Sequence, residues 1–145
     1  MPAAELGQRP FSYALLRIVP RVERGERVNA GVVLFCREYD YLAVRAEVDE
    51  KRLEALAPGL DLAPLEAHLA ALERVAAGEP AAGALAALPP SERFGWIVAP
   101  SSTTIQPSEV HTGLTSDPRA TLDHLFETLV AARSHSEGEP GVSST

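Results

Sequence analysis

Hydrophobic and polar positions divide the chain into a β-patterned first third, a helical middle and a mixed final third. Phe11 to Val19, FSYALLRIV, is rich in aromatic and β-branched types and carries Arg17 as its one charge. That pattern predicts a strand covered on both faces for much of its length. Pro20 cannot donate to a ladder and ends it. The polar loop RVERGERV turns at Gly25, the residue there that accepts a positive φ without cost. Val28 to Cys36, VNAGVVLFC, is the most apolar run and the predicted sheet centre. Gly31 inside it predicts a bulge or a closely packed neighbour, and Asn29 is its odd polar member. Arg37 to Asp40 has the length of a hairpin loop. Tyr41 to Val48 then alternates, with Leu42, Val44, Ala46 and Val48 on one face and Tyr41, Ala43, Arg45 and Glu47 on the other. One wet face places this strand near an edge.

The middle switches to helical spacing. Asp49 is a suitable N-cap for a short helix carrying Leu53 and Leu56, stopped by Pro58-Gly59. A second helix starts at Asp61 or just after, with Pro64 in its first turn. Its Leu65, Leu69, Leu72 and Ala76 form one core-facing stripe, and Gly78 ends it. Residues Gly78 to Glu92 read as an Ala-, Pro- and Gly-rich connector with a helical turn or two around Ala84 to Leu88, limited by Pro89-Pro90. Arg93 to Pro100, RFGWIVAP, reads as a fourth strand carrying the only tryptophan, and Thr103 to Gln106 as a short polar fifth. Ser108 to Gly113, with His111 in it, reads as an irregular or extended segment. Asp117 as N-cap and Pro118 at the first position open the last helix, whose core face is Leu122, Leu125, Phe126, Leu129 and Val130.

The order β-β-β-α-α-β-β-α, with short loops between the first strands, predicts an α+β domain. Its expected form is a mainly antiparallel sheet of four to five strands with two or three helices packed on one face. A loose leader over 1–9, a single domain over 10–133 and a disordered, polar tail over 134–145 complete the expected organisation.

Composition changes this picture little. A chain of 145 residues with 46% hydrophobic and 23% charged residues is an ordinary globular domain with enough length for a core. No apolar run approaches the ~20 residues of a membrane span. Cys36, the one cysteine, cannot make an internal disulfide and reads as a small buried hydrophobe. A cytoplasmic location is the expectation. The net charge of −7 argues against bulk nucleic-acid binding, which runs on phosphate neutralisation. Charge is nevertheless uneven: residues 9–37 hold six arginines against two glutamates.

Most motifs that carry chemistry are absent: no phosphate-binding Gly-rich loop, no metal-ligand spacing among His68, His111, His124 and His135, and no nucleophile elbow. No catalytic residue, metal or cofactor is expected on this basis. The candidates for binding are Arg24, Glu26, Arg27, Asn29, Arg93 and His111. Arginines grip phosphate or carboxylate bidentately. Glu23 and Glu26 alternate with those of the loop, however, and interleaved charges usually pair on the surface. Arg17, inside an apolar strand, needs a partner or the sheet's end, and Glu26 is a candidate partner.

Two blocks, YALLRIVPRVERGERVNAGVVLF and RFGWIVAPSSTTIQPSEVHTGLTSDPRATLDHLFETLV, resemble the bacterial family catalogued as domain of unknown function 3037. Arg24, Gly25, Glu26, Asn29, Gly31, Arg93, Trp96, Pro100, His111, Gly113, Asp117 and Pro118 fall on its characteristic positions. The resemblance implies no reaction or cofactor. It does imply a partner, because members are encoded beside proteins resembling HipA-type kinases. Two functional readings follow. The first is a non-enzymatic protein-interaction or regulatory module, partner of a HipA-like kinase. The alternative is a small enzyme or binding domain for a phosphorylated or other anionic ligand, using the Arg/Glu/Asn/His rim with Glu26 and His111 as acid/base candidates.

Overall fold

The computed structural model describes residues 7–100 and 104–131. Most of the leader, the turn after Pro100 and the tail lie outside them. Strands β1 (Arg9–Ile18), β2 (Val28–Cys36) and β3 (Tyr41–Ala46) are joined as expected by the charged loop and a hairpin. Helices α1 (Glu50–Leu56) and α2 (Ala63–Ala77) follow, then two 3-10 turns and α3 (Pro90–Ile97). Strands β4 (Ile105–Pro107) and β5 (His111–Thr115) precede α4 (Pro118–Phe126), which runs on into a π-helical turn, Glu127–Ala131.

The sheet is antiparallel and five-stranded, in the order β3-β2-β1-β4, with β5 also on β1. β4 and β5 share one edge: β4 pairs Leu16 to Ile18, and β5 pairs Arg9 to Tyr13. Leu34, Val32 and Val33 are fully buried, as a central strand requires, and β3 lies at the other edge.

The α+β class and antiparallel sheet are as the pattern indicates, and three helices, α1 to α3, pack on one face. Their Leu53, Leu69, Leu72 and Phe94 meet Ala14, Leu16, Ile18 and Val33. A fourth helix, α4, covers the opposite face, where Leu122, Phe126 and Val130 meet Phe11, Leu15, Val32 and Leu34. The supposedly wet face of β3 is therefore covered too. Arg45 lies 4.2 Å over the Phe126 ring and pairs with Asp123 at 2.9 Å.

A bulge in β2 lets one strand serve both cores. Leu16 pairs with Gly31 and Arg17 with Asn29, so Ala30 has no partner on β1. Val28 and Ala30 face the three-helix side before the bulge, and Val33 and Phe35 face it after. An extra residue inverts the alternation at that point. The run is apolar at nearly every position because both faces of the strand lie in a core.

Arg93 to Pro100 is the main departure from the expected elements. Residues 90–97 are helical, with Pro90 at the first position, where its missing N–H costs nothing. Phe94 and Ile97, three apart, form its buried side. The aromatic and β-branched content of RFGWIV imitates a strand, while the i, i+3 spacing decides for the helix. Of the two forms open to Ser108–Gly113, His111 takes the extended one: it begins β5, paired with Tyr13.

Candidate functional site

The six binding candidates fall in three places. Arg24, Glu26 and Arg27 lie on the β1–β2 loop, which makes a 3-10 turn at Val22–Arg24 and reverses at Gly25, φ 71°. Arg24 Nη2 meets Glu26 Oε2 at 3.1 Å, so Glu26 pairs within the loop rather than with Arg17. Arg27 is exposed and reaches back to the Gly25 carbonyl, 3.4 Å from its Nε. Asn29 adjoins this loop at the start of β2, but its amide is committed: Nδ2 donates to the carbonyl of Leu129 at 3.0 Å. A π turn leaves carbonyls out of the regular ladder, and Asn29 takes up one of them.

Arg93 is on the other side of the sheet. Its guanidinium donates to the carbonyls of Leu88 at 2.8 Å, Ala86 at 3.2 Å and Ala76 at 3.5 Å. It thereby ties the end of α2 to the turns before α3. Gly78, in the left-handed conformation at φ 74°, leaves room for this: a Cβ there would stand 3.3 Å from Arg93 Nη1. Both Nη atoms are taken up by backbone carbonyls, while Nε is buried without a hydrogen-bond partner.

His111 is at the far end of the sheet from the loop. Its ring tilts against Tyr13 with centroids 5.2 Å apart, and its Nε2 is 3.8 Å from Glu109. Asn29 sits opposite Arg17 and His111 opposite Tyr13, on different sides of β1. Four residues along a strand and two strand spacings across separate them by roughly 16 Å. His111 and the Arg24–Glu26 pair do not share a cavity.

Three accessible features stand out among the described residues. The first is the basic loop, with Arg21, Arg24 and Arg27 exposed. Arg17, half-buried on β1, lies in one row with Asn29 and Gln106. The second is an apolar groove of about 300 Å³ between α2, α3 and β4, bordered by Leu16, Leu72, Trp96, Ile97, Ile105 and Pro107. His68 is its one ionisable side chain, and Trp96 stands 47% exposed at its margin. Reading residues 93–100 as a strand hid this groove, because only a helix puts Trp96 outward while Phe94 and Ile97 point in. The third is the β4–β5 edge, where Val110 and Leu114 are exposed.

Burial raises the phenol pKa of Tyr41 above its ordinary value, opposed by Arg119 and reinforced by Asp123 and Asp117, so the ring keeps its proton beside α4. Among the described residues no group of three or more His, Cys, Asp or Glu is placed to hold a metal ion, and no helix is long and apolar enough to cross a membrane.

These features define a small α+β domain with a five-stranded antiparallel sheet covered by helices on both faces. Residues 13–130 match the model of the family described as Protein of unknown function (DUF3037), and the chain belongs to that family. Comparison with curated proteins and with solved structures gave no match.

Proposed function

We propose that this domain is a non-enzymatic protein-interaction module that regulates a partner, and that the partner is a HipA-like kinase in a bacterial cytoplasm. The observation that carries the reading is Trp96. A tryptophan 47% exposed beside an open apolar groove has the chemistry of an interface anchor rather than of a core residue. The four positions with family character and no evident backbone role, Glu26, Asn29, Arg93 and His111, have partners within the fold. They do not need a substrate to explain them.

The test uses Trp96 as its own probe, since it is the only tryptophan in the chain. Titration with the purified kinase should shift its emission to the blue as the indole leaves water. Trp96→Ala should weaken binding about 30-fold, the effect of losing a hot spot of about 2 kcal/mol. Unchanged emission at saturating kinase, or an alanine variant that binds as tightly as the parent, would sink the proposal.

An anionic ligand is the second reading, favoured by the concentration of Arg17, Arg24 and Arg27 at one end of the sheet. Arg93 and His111 would be outside that site. Titration calorimetry with inorganic phosphate and a phosphopeptide should give binding that weakens with salt. No heat with either probe at low salt counts against it.

A further inference from the structure

We infer that β5 is a seam at which two copies of this chain join, antiparallel, into one continuous ten-stranded sheet. This goes beyond the kinase-partner reading and is independent of the Trp96 groove. The starting point is which backbone groups the sheet leaves open. Leu15 exchanges both of its backbone bonds with Ser108: its N–H donates to Ser108 Oγ and its carbonyl accepts the Ser108 N–H, each at 2.8 Å. Alternation along β1 then turns Tyr13, Phe11 and Arg9 toward His111, Gly113 and Thr115. Val110, Thr112 and Leu114 consequently point their N–H and carbonyl groups away from the sheet.

Other parts of the perimeter are blunted. Pro107 has no N–H to offer, and the extra residue at Ser108–Glu109 breaks the edge between β4 and β5. On the other edge, Glu73 accepts the outward N–H of Ala46 at 3.2 Å and α2 packs against β3. An open segment of five residues is left, and its two large side chains are exposed: Val110 by 43% and Leu114 by 54%.

Self-pairing is favoured by symmetry, in a register that avoids a local clash of carboxylates. Val110 and Leu114 are equidistant from Thr112. With the two-fold axis at Thr112, Val110 of each copy stands opposite Leu114 of the other, and all four exposed side chains pair. In this register Glu109 faces Thr115 and His111 faces Gly113, so no carboxylate opposes another. Moving the axis to Gly113 would set Glu109 against Asp117 of the other copy. The contact is smaller than the standard ~800 Å² per partner, so the dimer is a weak, reversible one. Each copy carries −7, and added salt should tighten the dimer by screening that repulsion.

A register test is available because paired residues on adjacent strands that exchange both hydrogen bonds have Cα atoms about 5.5 Å apart, within disulfide range. Thr112→Cys should cross-link to itself under mild oxidation. Leu114→Cys should not, but should cross-link when mixed with Val110→Cys. Cys36 is fully buried and serves as the internal control. Sedimentation of the unmodified chain should show a concentration-dependent dimer that Leu114→Glu weakens about tenfold or more, with an unchanged unfolding midpoint because the site is exposed. A chain that stays monomeric up to about millimolar concentration, the range of non-specific contacts, overturns the inference, as does failure of Thr112→Cys to cross-link. In either case the edge would be left to a strand from a different protein. Loss of kinase binding by Trp96→Ala, with the cross-linking intact, would leave this inference standing.

Discussion

Gly113→Ala should destabilise the fold even though the backbone there is ordinary strand. Gly113 sits opposite Phe11 across β1 and β5, and the Phe11 ring lies over the space a side chain would fill. A Cβ would stand 2.7 Å from Phe11 Cε1 and 2.8 Å from Cζ. Carbon atoms settle at about 3.5–4.0 Å, so the ring must retreat by roughly 1 Å. It has little room to do so. Phe11 is 8% exposed, in the cluster with Leu122 and Phe126, and its ring stacks on Tyr13 at 6.0 Å. Overpacking of this kind costs about 1–3 kcal/mol. Against that, replacing glycine restricts the unfolded chain and returns about 0.4–1 kcal/mol, so the expected net loss is about 1–2 kcal/mol. Urea unfolding should show a lower midpoint at an unchanged slope. The Phe11→Leu background isolates the cause: with the ring gone, Gly113→Ala should be neutral or stabilising. An alanine variant within about 0.5 kcal/mol of the parent, or an equal loss with and without the ring, refutes the reasoning.

Two further substitutions probe the groups that hold the edge and the middle connection. Ser108→Ala leaves the buried Leu15 N–H without an acceptor and should cost about 1–3 kcal/mol, with faster amide exchange at Leu15; unchanged protection at that amide would show that the hydroxyl is dispensable. Arg93→Met removes the bonds to Ala76, Ala86 and Leu88 while keeping an apolar stem. It should cost about 2 kcal/mol in chemical denaturation and expose the end of α2 to exchange, and a variant as stable as the parent would mean that the guanidinium is not a clamp.

How far the chain could be read depended on whether a signal was local. The stripe Leu65, Leu69, Leu72, Ala76 is buried as its spacing indicates, and Asp49 and Asp117 cap their helices through Arg52 N and Ala120 N. Both signals lie within a few residues of what they control. Gly31 was legible as marking a bulge or a close approach: it adjoins the bulged Ala30 and lets Ala46 approach closely. The covering of both faces was less visible, because a single inserted residue inverts the alternation of β2 and a continuous apolar run does not show where. Residues 93–97 misled through composition, with the i, i+3 pair Phe94 and Ile97 the signal that could have corrected it. The candidate site suffered from distance in a different way. Asn29, Arg93 and Glu26 looked unexplained because their hydrogen-bond partners, Leu129, Leu88 and Arg24, are set by tertiary packing or by loop shape. No spacing rule connects residues 29 and 129.

The bulge at Ala30 has a consequence for how faithfully this sheet assembles. A strand that is apolar on both faces gives hydrophobicity no means of telling one pairing from its neighbour one residue away. What distinguishes them is Gly31. A Cβ at that position would stand 3.1 Å from both the Ala46 Cβ and the Arg45 carbonyl, so a side chain there would push β3 off β2 by a few tenths of an ångström. The index mark of the sheet is thus an empty space, and a side chain put into it would loosen the closure of β3 on β2.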